Sequence, residues 1–141
     1  MSTPRRALRQ LGHGVLIFAA TAVAAPRADA QLEGIKLSPD GTLCGVVVMN
    51  GSNKAKDSPF FNDAGKLVLF RVNGTQLTKV GEAPIGHWSQ GVAFSPDNRT
   101  ILVGNMVEKD VQVLSWDGSS LRETGRIKVG GGSTALRTAD K

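Results

Sequence analysis

Several residue types that often carry chemistry or cross-links are scarce in this 141-residue chain. It has one cysteine (Cys44), two histidines and no tyrosine. A single thiol cannot form an internal disulfide, and one cysteine with two histidines falls short of the four ligands of a structural zinc site. The sequence therefore predicts no internal disulfide, no metal site and no cofactor, and it favours Cys44 as a small buried hydrophobic residue.

Long hydrophobic runs are also scarce. The main apolar run, residues 15–25, is shorter than the ~20 residues that cross a bilayer. Three arginines and no acid precede it, and the small-residue sequence Ala-Asp-Ala at 28–30 follows. This order predicts a signal peptide over residues 1–30 and a periplasmic or secreted protein, with a buried N-terminal helix as the alternative. Arg5-Arg6 leaves both the general and the twin-arginine export routes open.

Basic and acidic residues are nearly balanced after residue 30. Removal of residues 1–30 takes away four arginines and one aspartate, which leaves 13 basic and 11 acidic residues. No run of lysine or arginine remains to track phosphate groups. We therefore expect no nucleic-acid binding and, after signal cleavage, no membrane span.

What the remaining chain does contain is a repeat. The segment "GIKLSPDGTLCGVVVMN" begins at Gly34, and "GVAFSPDNRTILVGN" begins at Gly91. Further along, residues 66–86 align with residues 110–130 without a gap, at an offset of 44. The two SPD turns are 57 residues apart, and the extra 13 residues fall in a polar loop, residues 50–63. A strand-rich period of about 40–45 residues is typical of propeller blades.

Each repeat reads as four antiparallel strands. The SPD turn joins the first strand to the second, and Asn73-Gly74 or Asp117-Gly118 joins the third to the fourth, as type I′ hairpins require. The sequence predicts an all-β fold: a partial β-propeller with blades at 34–86 and 91–130. Residues 134–138 align with the start of a third unit, so we expect one extra terminal strand there.

The segment "GHWSQGVAFSPDNRTILVGN", followed by "DVQVLSWDG", resembles YVTN-type and lactonase-like β-propeller repeats. The resemblance covers most of residues 34–141. It implies a propeller fold and, as one possible activity, hydrolysis of a sugar lactone or similar ester at the central channel. Members of this family have about seven blades, within the usual range of closed propellers. Two blades and one strand therefore indicate a truncated member, a gene fragment, or a unit that completes a ring with three or four copies.

Candidate site residues are few. His87 is the only histidine after residue 30, and it lies with Trp88 and Gln90 in the connection between the blades. Because no partner constellation is visible around it, we interpret His87 as a loop residue packed beside Trp88, and as no more than a weak candidate for a general base. If the protein binds a ligand, His87, Trp88 and Gln90 are the expected contacts. The surrounding surface would come from loops at 86–90, 104–110 and 50–63.

Three functional hypotheses follow. The first is an exported, non-catalytic binding or scaffold module, whose ligand or protein partner the sequence does not identify. The second, implied by the resemblance, is a lactonase-like hydrolase. The third is a non-functional remnant. The sequence leans away from an enzyme, because catalysis in such a propeller would draw on residues from several blades.

Overall fold

The computed structural model describes residues 31–138, so the expected signal peptide lies outside the described residues. Eight strands and no helix occur in this part of the chain. In chain order they are β1 Leu32–Leu37, β2 Leu43–Val48, β3 Gly65–Asn73, β4 Gln76–Ile85, β5 Ser89–Phe94, β6 Thr100–Asn105, β7 Asp110–Trp116 and β8 Leu121–Lys128. Across residues 31–138 no helix is long and apolar enough to cross a membrane.

The strands form two four-stranded antiparallel sheets, each with its strands in chain order. β1 to β4 make the first sheet and β5 to β8 the second. The predicted all-β fold with two four-stranded blades is therefore confirmed. The insertion at residues 50–63 joins β2 to β3 as a series of turns without a strand.

The SPD turns have the same hydrogen bonds in both sheets. Ser38 Oγ donates to Asp40 at 2.7 Å and accepts the backbone N–H of Leu43 at 2.9 Å. Ser95 Oγ donates to Asp97 at 2.5 Å and accepts the N–H of Thr100 at 2.9 Å. The bond from Ser38 is the main reason that the pKa of Asp40 falls to about 2, and the equivalent bond from Ser95 lowers the pKa of Asp97. The SPD motif occurs twice because the first hairpin of each sheet is closed by the same side-chain hydrogen bonds.

The hydrophobic core lies between the two sheets. In antiparallel sheets, residues directly opposite each other point to the same face. Val47 of β2 is opposite Leu67 of β3, and both are fully buried against the second sheet. Further core residues come from both sheets: Leu43, Leu69, Ala83, Ile85, Val92, Phe94, Ile101, Val103, Leu114 and Trp116.

Cys44 is buried, and burial raises the pKa of its thiol. The structure therefore places it where an unreactive, hydrophobic role is expected.

The first strands of the two sheets approach closely at a glycine. A Cβ atom on Gly34 would overlap the main-chain carbonyl oxygen of Gln90. At the equivalent glycine of the second sheet, Gly91, a Cβ would lie 2.8 Å from the amide nitrogen of Leu136 and 3.1 Å from the carbonyl carbon of Ala135. The C-terminal segment therefore lies against β5 in much the same way as β5 lies against β1.

The extra terminal strand is not formed. Residues 134–138 occupy the expected place beside β5 but belong to no strand in the described part of the chain. A strand requires a hydrogen-bonded neighbour in its own sheet. The segment has no such neighbour among residues 31–138, and it packs against the second sheet without a ladder.

We expect Gly34→Ala to destabilise the protein by about 1–3 kcal/mol, because the added methyl group must displace the backbone of β5. Gly125→Ala is the matched control, since a Cβ there would meet nothing within 4 Å. Its effect should stay within about 1 kcal/mol. Urea unfolding of both variants measures the difference. Equal stabilities would contradict the close approach of β1 and β5.

Candidate functional site

Three loops meet at one edge of the two sheets. In an up-and-down sheet, successive connections lie at opposite ends of the strands. The SPD turns are therefore at one end, and the connections β2–β3, β4–β5 and β6–β7 are at the other end, which forms one edge of the molecule. We call this edge, formed by residues 50–64, 86–88 and 106–109, the loop edge. It contains His87, and it brings together the three loops that the sequence analysis proposed as a binding surface.

His87 lies between two carboxylates from different loops. Its Nδ1 is 2.6 Å from Oε1 of Glu108, and its Nε2 is 3.0 Å from Oδ1 of Asp63. The backbone N–H of His87 also donates to both carboxylate oxygens of Glu108, at 3.0 Å each. The ring stacks on Phe61 with centroids 6.3 Å apart. His87 therefore connects the first sheet's insertion loop to the β6–β7 loop of the second sheet.

These contacts favour the charged form of His87. Carboxylates accept hydrogen bonds, and only the imidazolium ion can donate from both ring nitrogens at once. The hydrogen bond with Glu108 raises the pKa of His87 against the opposing effect of burial, and Asp63 adds to the rise. His87 does lie in a loop, but it has partners that the sequence did not reveal, because the two carboxylates are 21 and 24 residues away along the chain.

Trp88 projects from the same connection. Its side chain remains partly open to solvent, with 43% of the residue exposed, and its backbone has a φ of 51°. Such left-handed geometry is strained for a bulky residue and persists only where surrounding contacts hold it. One such contact is the bond from the Trp88 N–H to Oγ of Ser52, at 3.2 Å. The aromatic ring stacked with His87 is that of Phe61.

Gln90, the third predicted contact, is half-buried in β5. Its main-chain carbonyl takes part in the close approach to Gly34. The structure thus places His87 and Trp88 on the loop edge, whereas the backbone of Gln90 belongs to the packing between the first strands.

A buried polar network lies next to the loop edge and binds the backbone of the β4–β5 connection. Asn105 accepts hydrogen bonds from the N–H of Gly86 at 3.1 Å and from Oγ of Ser89 at 2.6 Å. Its amide nitrogen donates to Asp110 at 2.8 Å and to Gln112 at 3.2 Å. Ser89, Asn105, Asp110 and Gln112 are all buried, so these groups must satisfy each other.

Asp110 carries the negative charge of this network. Burial raises the pKa of its carboxyl, but the hydrogen bond from Asn105 and the charges of Arg126 and Lys128 outweigh burial and leave it lowered. Arg126 and Lys128 lie 3.5 and 3.4 Å from the carboxylate. The ion pairs hold the outer strand β8 to β7 at the end nearest the loop edge.

The chemistry available at His87 is limited. The nearest hydroxyl along the chain, on Ser89, is fully buried and bonded to Gly86 and Asn105, so it is not presented as a nucleophile. Within residues 31–138 no group of three or more His, Cys, Asp or Glu side chains could hold a metal ion. The arrangement is a histidine ring between two carboxylates that favour its charged form, with an exposed indole beside it.

A cavity of about 260 Å³ lies away from His87, at the edge with the SPD turns. Its lining includes Arg71, Asn98, Arg99 and Trp116. The loop-edge site is therefore a surface and does not belong to this cavity.

We expect the stabilising effect of His87 to depend on pH. Its folded-state pKa is raised, so its contribution is complete below the unfolded value of about 6.5 and is lost as pH rises through the folded value. His87→Ala should therefore lower the free energy of unfolding more at pH 6 than at pH 9. The difference should be on the order of 1 kcal/mol for a partly exposed pair. Urea unfolding at both pH values measures this.

Glu108→Gln supplies the control for this measurement. In that background the pH dependence of the His87→Ala effect should shrink, because the main partner of the imidazolium has lost its charge. A cost of His87→Ala that is the same at both pH values would show that the two carboxylates do not stabilise the charged ring.

No protein-family model matches the chain, and no curated protein matches it. Among solved structures, the chain is similar to a protein from Bacteroides fragilis described as a 6-phosphogluconolactonase. The identity is 25% and the TM-score 0.64, over 84% of this chain. The chain spans only 31% of that protein's length. The match loosely supports the resemblance to lactonase-like β-propellers, and it does not single out YVTN-type repeats.

Proposed function

We propose that this chain is an exported, non-catalytic β-propeller-like module that binds a polyhydroxylated ring, such as a sugar or its lactone, at the loop edge. The observation that supports it best is Trp88: an exposed indole, in strained backbone geometry, at a place where three loops are tied together. Aromatic side chains in such positions supply large contact areas at a small cost in conformational entropy.

The groups around Trp88 suit this ligand class. The C–H face of a sugar ring packs on an indole, while its hydroxyls donate to carboxylates. Asp63 provides such an acceptor, because its side chain is 85% exposed. His87 holds Asp63 and Glu108 in place, so the acceptors are ordered before a ligand arrives. Trp88 is the proposed main contact, with His87 and Gln90 as the further predicted ones.

The non-catalytic part of the proposal rests on the state of His87. A general base needs a free ring nitrogen within reach of the proton that it removes. Both nitrogens of His87 already face carboxylates, which favour the protonated form of the ring. Export, in turn, rests on the expected signal peptide at residues 1–30.

A lactonase-like hydrolase is the second candidate, favoured by the similarity to the protein described as a 6-phosphogluconolactonase. In that reading Glu108 would orient His87 through Nδ1, as the carboxylate of a catalytic triad orients its histidine. The exposed Asp63 would move away, and Nε2 would then take a proton from water attacking the lactone carbonyl. The ester C–O bond would break, and the imidazolium of His87 would return this proton to the ring oxygen, which leaves as a hydroxyl.

The binding proposal is tested with glucono-1,5-lactone as the probe. Titration of the purified chain, followed by calorimetry and tryptophan fluorescence, should show saturable binding. Trp88→Ala should weaken it about tenfold, which corresponds to about 1.4 kcal/mol of lost stacking. Val107→Ala is the matched control, since Val107 is another exposed apolar residue of the loop edge. Absence of binding, or equal losses in both variants, would overturn the proposal.

The same probe separates the two candidate functions. In a pH-stat at neutral pH, we expect the chain to leave the spontaneous hydrolysis rate of the lactone unchanged. A faster rate that His87→Ala abolishes would overturn the non-catalytic reading in favour of the hydrolase. A faster rate that persists in His87→Ala would contradict both assignments to this site.

A further inference from the structure

Each sheet has one apolar face that no described residue of another sheet covers. On the first sheet, Ile35 is opposite Val46, and Val46 is opposite Val68. These residues point away from the second sheet, on what we call the front face. On the second sheet, Leu102 is opposite Val113, on what we call the back face. Ile127 lies on the same face, opposite Val111.

The front face has the residue types of a buried interface. At the repeat offset of 57, Ile35 and Leu37 correspond to Val92 and Phe94, which the first sheet covers. Val92 and Phe94 are 4% and 2% exposed, whereas Ile35 and Leu37 are 65% and 53% exposed. The front face is thus the exposed equivalent of a surface that packs against a sheet inside this same chain.

The back face is the complement of the front face. At the offset of 44, Val111 and Val113 correspond to Leu67 and Leu69, which lie in the core on the first sheet. Ile127 corresponds to the buried Ala83 and is 55% exposed. In the contact between the two sheets of one molecule, which we call the internal interface, the first sheet presents the equivalent of the back face and the second sheet the equivalent of the front face. One copy of the chain carries the same two surface types at its two ends, where no other sheet covers them and only the C-terminal segment lies against part of the back face.

We propose that a second copy of this chain covers these faces, with the front face of one copy on the back face of the next. The internal interface serves as the template, because it joins the same two surface types with equivalent residues. Such a contact is head-to-tail, and its repetition closes a ring or extends a fibre. Three or four copies would give six or eight sheets, within the range of about 4–8 blades of closed propellers.

The C-terminal segment competes for the same place. Residues 134–138 lie beside Gly91, where the first strand of the next sheet belongs, just as Gln90 lies beside Gly34. An incoming copy brings its own β1 to this position, so the segment must leave. Leu136 is half-buried, and its replacement by a charged residue should loosen the segment and favour association.

Sedimentation equilibrium of the purified chain over a range of concentrations tests the proposal, with its N-terminus identified by mass spectrometry. We expect association of the wild type, and at least tenfold weaker association for both Ile35→Lys on the front face and Ile127→Lys on the back face. Val107→Lys, also at an exposed apolar residue, should associate like the wild type. Circular dichroism and urea unfolding verify that all variants keep their sheets.

Mixing gives the decisive result. Ile35→Lys retains an intact back face and Ile127→Lys an intact front face, so an equimolar mixture should form a heterodimer although neither variant associates alone. Leu136→Asp should associate more tightly than the wild type. A monomeric wild type at all concentrations, as would follow if residues 1–30 covered the front face, overturns the proposal. So does a loss confined to Ile35→Lys, which would indicate a symmetric front-to-front dimer.

Discussion

The structure depends on one constraint: neither four-stranded sheet can bury its apolar side chains by itself, and the core forms where the two sheets meet. β2 and β6 carry apolar residues on both faces, so neither sheet can shield itself. Stacking must bring the first strands close together, and Gly34 permits this by leaving room for the carbonyl of Gln90. The repeated SPD turns follow from the same constraint, since each stacked sheet needs the same tight first hairpin.

The loop edge depends on this stacking. His87 belongs to the connection between the sheets, Asp63 to the first sheet's insertion and Glu108 to the second sheet. The two ion pairs can form together only when the sheets are aligned as they are here. The same alignment presents Trp88, because Ser52 of the insertion binds its backbone N–H. The proposed ligand surface is thus a product of sheet packing more than of any single loop.

The fold was largely predictable, because its determinants are local. Turn residues such as Pro39-Asp40-Gly41 and hairpins such as Asn73-Gly74 limit the strands regardless of what lies far along the chain. The strand predicted at 134–138 is not formed, because a strand needs a hydrogen-bonded partner as well as a suitable local sequence. For the site, the sequence drew attention to His87 but not to Asp63 or Glu108. Nothing in the residues around Glu108 marks it as a partner for a histidine 21 positions away, and only the stacked sheets bring the two together.

The buried network around Asn105 distinguishes the interface between the two sheets from the other apolar faces. Gln112 donates to the carbonyl of Pro84 across the internal interface at 3.1 Å, a bond that requires one alignment of the sheets. In the first sheet the positions equivalent to Asn105 and Gln112 are Val48 and Val68, which can form no such bond. A surface that meets Val48 and Val68 on the front face is therefore not aligned by a bond of this kind, and that bond cannot select one partner over another there in the way that it selects the second sheet of the same molecule.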